Sequence, residues 1–200
     1  MRAGSGVVFV CTGNICRSVM AERILTSALA QDVAAGNLPA AFAESFVVDS
    51  AGTSDEEAGN PVDPRAVRVL EDAGYDAAGH TARQITSEWL AERDLAIAMT
   101  RRHFAVLTRL AAHLPEERRP EIRMFRSFDP ACADLVADLP PHTAPQDSAL
   151  DVNDPWYGGP ADFLVTRDLL EAGMPGVLAW IRARATPEPA SLVPTSFRSE

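Results

Sequence analysis

Cys11 and Arg17 stand six residues apart, with Thr12, Gly13, Asn14, Ile15 and Cys16 between them and Ser18 just beyond. A cysteine thiolate is a strong nucleophile. A guanidinium presents a fork of donors that matches phosphate oxygens. Gly13 and Asn14 tolerate tight or left-handed backbone, which lets loop amides converge on one point. A loop of this kind binds a tetrahedral dianion and sets the sulfur where it can attack. The same field favours the ionised sulfur at Cys11. Ser18 is spaced to hydrogen-bond that thiolate and to stabilise it again as a leaving group. Spacing alone is a weak signal. Three cysteines and eighteen basic residues in 200 positions give roughly a quarter of a Cys-x5-Arg match by chance. A buried strand-end cysteine beside a structural turn is the plain alternative.

Such a loop has to be held by regular elements. Residues 6–10 form a continuous apolar run, the pattern of a strand covered on both faces. From Val19 the apolar positions Val19, Met20, Ile24, Leu25 and Leu29 fall on one helical face to about Ala35, with Gly36 as a stop. The partial positive charge at that helix's start favours an anion in the loop. Phe46-Val47-Val48 reads as a second strand, running into Asp49-Ser50-Ala51-Gly52-Thr53. Asp63-Pro64 opens a helix, with Asp63 capping and Pro64 in the first position, that ends near Gly74. Leu95 to Met99 is a third strand, followed by a helix from about Arg102 to His113. Ile122 to Phe128 alternates and reads as a fourth strand.

Residues 129–153, rich in Pro, Asp and Ala, read as a long loop with one helical turn near Cys132 to Ala137. Residues 160–184 form a last helix, expected to break at Gly173-Met174-Pro175-Gly176. From about Thr186 the chain reads as a mobile tail, which leaves residues 1–185 as one domain. Strands alternating with helices predict an α/β fold: one four-stranded parallel sheet with helices on both faces. Ligands bind such sheets beyond the carboxyl ends of the strands, where Cys11 lies.

Composition removes several classes of function. The formal net charge is −10, the opposite of a general nucleic-acid binder. All eighteen basic residues are arginine, which we attribute to genome composition. No run approaches the roughly 18 apolar residues of a membrane span. The four apolar residues at Val7–Val10 fall short of the about 7–15 of a signal-peptide core. Three cysteines are an odd, low count that fits free thiols in a reducing compartment, hence the cytoplasm. No cluster has zinc-ligand spacing, so neither a metal site nor a cofactor is predicted.

Cys11-Thr12-Gly13-Asn14-Ile15-Cys16-Arg17-Ser18 resembles the signature of the low-molecular-weight protein tyrosine phosphatases. Later segments match that family in the same order: Asp49-Ser50-Ala51-Gly52-Thr53, Gly59-Asn60-Pro61, His80-Thr81-Ala82-Arg83-Gln84-Ile85 and Asp154-Pro155-Trp156-Tyr157. Several ordered matches are more specific than the loop alone, and they imply the flavodoxin-like sheet of that family. They also select the acid. Asp63-Pro64, Asp129-Pro130 and Asp154-Pro155 are all turn-forming pairs, but only Asp154 is followed by two aromatics, Trp156 and Tyr157. Asp151 is the neighbouring fallback.

The implied reaction has two displacements. Cys11 attacks phosphorus to give a phosphocysteine, with Asp154 protonating the leaving oxygen. Water activated by Asp154 then releases phosphate. Arg17 and the loop amides hold the equatorial oxygens where charge collects. The resemblance further implies that Asn14, Ser50 and His80 brace the loop. For Cys16 it implies a reversible disulfide with Cys11 under oxidation; a small packed hydrophobe is the equal alternative. Cys132 has no expected role.

The implied substrate is a phosphorylated protein or a small aryl phosphate. Related arginine phosphatases carry Thr at the position of Ile15, so Ile15 favours a phenyl ring, with Trp156 and Tyr157 as one wall of a slot. The opposite wall, aromatic in many relatives, is here Ser54-Asp55-Glu56-Glu57-Ala58, and its carboxylates would repel acidic phosphopeptides. Val19 replaces the usual proline after Arg-Ser. Thr100 replaces an Asp common in the family, which removes a polar partner expected for His80. The alternatives to a tyrosine phosphatase are a protein arginine phosphatase or small aryl-phosphate phosphatase, an arsenate reductase, and a non-catalytic phosphate-binding redox sensor. Arsenate reduction needs more cysteines than Cys132 provides.

Overall fold

The apolar run at the N-terminus becomes β1 (Gly6–Cys11), and every residue of it is buried. Its side chains alternate between two cores: Val7, Phe9 and Cys11 enter one, Val8 and Val10 the other. A strand with both faces covered has no polar side to spare, which explains the unbroken run. The computed structural model describes residues 5–137, 143 and 146–185.

After β1 come α1 (Arg17–Ala34), α2 (Ala40–Ser45), β2 (Val47–Gly52), α3 (Pro64–Asp72), α4 (Ser87–Leu90), β3 (Leu95–Ala98) and α5 (Arg101–Ala112). The chain closes with β4 (Glu121–Met124), α6 (Ala133–Val136) and α7 (Pro160–Ala185). The four strands form one parallel sheet in the order β2-β1-β3-β4. Helices α1, α3 and α7 cover one face, and α4 and α5 the other. This is the α/β architecture expected from the sequence. The chain leaves β1 toward β2 on one side and later enters β3 on the other. Cys11 therefore ends at the point where strand order reverses, the crevice in which such sheets bind ligands. Among the described residues no helix is long and apolar enough to cross a membrane.

Two expectations are corrected. The fourth strand stops at Met124, and Phe125–Phe128 form a 3-10 turn. Phe125 and Phe128 both enter the core that contains Phe9. Residues three apart point to opposite faces of a strand, so burying both on one side requires helical backbone. The second correction follows from the first. Helix α7 runs through Gly173-Met174-Pro175-Gly176 without a break. A Cβ on Gly173 would lie 2.7 Å from a Phe125 ring carbon, and one on Gly176 2.3 Å from the Phe128 carbonyl oxygen. The two glycines let the aromatic turn pack on the helix. Pro175 sits on the exposed side, where water can satisfy the carbonyl it leaves unpaired.

The loop after β4 holds the expected helical turn as α6, preceded by a 3-10 turn at Pro130–Cys132 and followed by another at Ser148–Leu150. Helix α2 and the short α4 carry no clear periodicity, and the sequence reading missed them. The tail expected after Thr186 lies outside the described residues.

Candidate active site

Asn14 organises the loop. It takes a left-handed backbone, φ 62°, among the conformations Asn adopts most readily outside Gly. Its side chain is fully buried and every polar group of it is used. Nδ2 donates to Ser18 Oγ at 3.0 Å and to Ser50 Oγ at 2.8 Å. Oδ1 accepts from the Arg83 amide at 3.1 Å. The Asn14 carbonyl accepts from His80 Nε2 at 2.7 Å, which fixes the proton on that nitrogen. Gly52 makes the packing possible from below: a Cβ there would lie 2.6 Å from the Thr12 carbonyl oxygen.

The sulfur of Cys11 lies 3.0 Å from Ser18 Oγ. Asn14 already donates to that hydroxyl, so its own hydrogen is available to the sulfur. Helix α1 begins at Arg17 with no side chain capping it and no acidic residue in its first turn. Its free amides and dipole therefore point at the loop with no internal anion to meet them. Arg17 is 3% exposed. It donates from one terminal nitrogen to the Val152 carbonyl at 3.0 Å and pairs through the other with Asp154. Its Nε is buried and has no acceptor among the described residues. An orphaned charged donor is costly unless a ligand satisfies it.

Asp154 follows Val152 on a segment fixed at its start. Val152 donates its amide to the Met99 carbonyl at 2.8 Å, beyond the end of β3. Asp151, the fallback acid, instead binds the Arg101 amide at 2.7 Å and the Arg101 guanidinium at the start of α5. Asp63 caps helix α3, and Asp129 caps the 3-10 turn that follows it. All three Asp-Pro pairs thus cap the helix or turn that follows, and of the three it is Asp154 that pairs with Arg17. A cleft of about 110 Å³ opens between the loop and this segment. Ile15, Cys16, Trp156 and Tyr157 line it together with the carboxylates of Glu56 and Glu57. Trp156 is 41% and Tyr157 91% exposed.

Two imidazoles flank the loop, both held neutral. Burial pushes His80 below the usual histidine range, against the contribution of its bond to Asn14. Burial, aided by the positive charges of Arg17 and Arg102, pushes His103 down to about 3. His103 contacts Thr12 Oγ1 and Thr100 Oγ1, each at 3.0 Å. The expected gap beside His80 is corrected here. Thr100 caps α5 and serves His103, while the carboxylate facing His80 is Glu22 at 3.9 Å, which also accepts from Ser50. Sequence reasoning missed Glu22 and His103, the partner of Thr12. The one available signal was the Thr-x-x-His spacing of a helix cap. All three cysteines are free thiols. Burial, and next the charge of Asp63, pushes the Cys16 thiol up, so it stays protonated. Among the described residues no group of three or more His, Cys, Asp or Glu is arranged to hold a metal.

A thiol at a strand end, an uncapped helix and a buried arginine with a free donor define a phosphate-handling α/β protein. Residues 6–186 match the family model described as low molecular weight phosphotyrosine protein phosphatase. A Streptomyces coelicolor low molecular weight protein-tyrosine-phosphatase is 40% identical over 88% of this chain and 93% of its own. The human low molecular weight phosphotyrosine protein phosphatase is 31% identical over 81% and 86%. Among solved structures, YfkJ from Bacillus subtilis superposes with TM-score 0.68 at 26% identity, over 90% of this chain and 96% of its own. The chain belongs to the low molecular weight phosphotyrosine protein phosphatase family.

Proposed function

We propose that the chain hydrolyses phosphotyrosine in proteins, and small aryl phosphates, through a phosphocysteine on Cys11. The observation that carries this reading is the buried, unsatisfied Arg17 Nε at the uncapped start of α1, on a residue that lines the same cleft as Cys11. Together they supply charge and donors for a dianion in the cleft that the Cys11 thiol lines.

In this mechanism a phosphate monoester competes with Asp154 for the Arg17 guanidinium. Substrate binding releases the carboxyl, which can then carry a proton to the leaving oxygen as sulfur attacks in line. The amides of Thr12 to Cys16 and the Arg17 fork hold the equatorial oxygens. The freed Asp154 carboxylate next takes a proton from water as that water displaces the sulfur, releasing inorganic phosphate. Ser18 donates to the sulfur as it departs. Asn14, Ser50 and His80 hold the loop in shape. Ile15, Trp156 and Tyr157 form the apolar surfaces for the ring, and the three free thiols favour a cytoplasmic location.

A second reading has one observation in its favour. Glu56 and Glu57 line the same cleft and would attract the guanidinium of a phosphoarginine side chain. Parallel kinetics on peptides carrying phosphotyrosine, phosphoarginine or phosphoserine decide between them. The proposal expects phosphotyrosine to lead in kcat/KM; a lead for phosphoarginine would replace it.

A further inference from the structure

The nucleophile and the acid lie on segments about 140 positions apart in sequence, and something must fix the gap between them. Asp63 donates its backbone amide to the Ile15 carbonyl at 2.9 Å, which ties the start of α3 to the phosphate loop. Its carboxylate, 6% exposed, accepts from Arg65 Nε at 3.0 Å and Nη2 at 2.9 Å. The remaining Arg65 nitrogen, Nη1, donates to two carbonyls of the acid segment: Trp156 at 3.2 Å and Gly158 at 3.1 Å. The guanidinium also lies over the Trp156 ring, 5.4 Å from its centroid, and over the Phe163 ring of α7 at 4.6 Å.

The acid segment is fastened differently at its two ends. Before Asp154, Asp151 and Val152 bind α5 and the end of β3. After it, the Pro155–Gly158 turn is closed by its own bond from the Gly158 amide to the Pro155 carbonyl. Among the described residues, the hydrogen bonds that join this turn to another part of the chain come from Arg65. A planar fork with several donors can hold a carboxylate on one edge and carbonyls on the other. An ammonium has no such geometry.

We propose that Arg65 is a positioning residue for catalysis: with Asp63 it forms a strut that sets Asp154 and Trp156 at a fixed distance from the Cys11 loop. Arg65 acts through Asp154, so the inference rests on the reading of Asp154 as the proton donor. Its signature is dependence on the leaving group. An aryl phosphate whose phenol is a good leaving group needs little protonation, whereas unsubstituted phenyl phosphate needs it fully.

The test measures kcat/KM for a series of aryl phosphates of rising phenol basicity. It compares the full-length wild type with Arg65→Met, Arg65→Lys and Asp154→Asn. Arg65→Met keeps an apolar stem against Trp156 and Phe163, and inhibition by inorganic phosphate reports whether the phosphate loop is intact. We expect Arg65→Met to lose about tenfold or more on phenyl phosphate and only a fewfold on the best leaving group, with phosphate inhibition little changed. Arg65→Lys should recover only part of the loss. Equal losses across the series, or full rescue by lysine, would overturn the strut. A steep dependence in Asp154→Asn with a flat one in Arg65→Met would overturn the Arg65 proposal alone. A flat dependence in Asp154→Asn as well would overturn the acid assignment beneath it.

Discussion

The two segments that meet over the cleft are built on opposite plans. The phosphate loop from Cys11 to Ser18 is almost wholly buried, and the side chain and carbonyl of Asn14 bind Ser50, His80 and Arg83 from other parts of the chain. The acid segment from Asp151 to Gly158 is exposed at Asn153, Asp154, Trp156 and Tyr157, and joined to the body by a few bonds at each end and by Arg17. The difference follows from what each must do. A site for a dianion works by having its amides already aimed, because reorganising them during the reaction would cost the electrostatic gain. A proton donor must let substrate in, let an alcohol out and admit water, so its segment is held at an approximate distance and left open. One side is over-determined by contacts, the other is set by a strut.

Substitutions at the reacting atoms themselves sharpen that contrast most. Cys11→Ser is expected to lower kcat/KM for a small aryl phosphate by about a thousandfold or more, since a hydroxyl there has no base to activate it. Arg17→Lys should cost a comparable factor, because an ammonium cannot span two oxygens. Steady-state assays on folded variants check both. Asp154→Asn should cost about a hundredfold on poor leaving groups while leaving phosphate inhibition in place, as expected for the looser partner.

The over-determined side should show its design in stability as well. Asn14→Ala strains the left-handed position, strands the amide of Arg83 and removes the donor shared by the Ser18 and Ser50 hydroxyls. It should lower stability by about 2–4 kcal/mol in denaturant titration. Asn14→Gly relieves the backbone but not the lost bonds, so the difference between the two separates strain from hydrogen bonding.

His103 gives a pH signature. Its folded value of about 3 lies below the ordinary 6.5, so the unfolded chain holds the proton across that window and the native one does not. The stability it contributes is complete above pH 6.5 and drains as pH falls toward 3. Tm of the wild type should therefore fall more steeply than that of His103→Gln over this range. Parallel slopes would remove His103 as the cause. The smallest effect belongs to the cleft's acidic wall. Glu57→Gln should improve KM for acidic phosphopeptides a fewfold, with a gain that fades at high salt.

What could be read from the sequence divides along similar lines. The sheet and its order of helices were legible because β1 and β3 are short runs of apolar residues and α1 and α5 carry clean helical spacing. Cys11, Arg17 and Asp154 were nameable because ordered family segments surround them. What failed was tertiary. Nothing local announces that Phe125 and Phe128 fold into a turn to reach one core, or that Gly173 and Gly176 serve them rather than break a helix. The Asp63–Arg65 strut was half visible: the helix cap was read from Asp63-Pro64, but the reach of Arg65 to residues 156 and 158 is written only in space.

The most direct test of the account is capture of the covalent intermediate. Asp154→Asn, mixed with an aryl phosphate bearing a good leaving group and quenched rapidly, should accumulate enzyme heavier by one phosphoryl group. Peptide mass analysis should place that group on Cys11. A modified residue other than Cys11, or sustained turnover by Cys11→Ser with no such adduct, would contradict it.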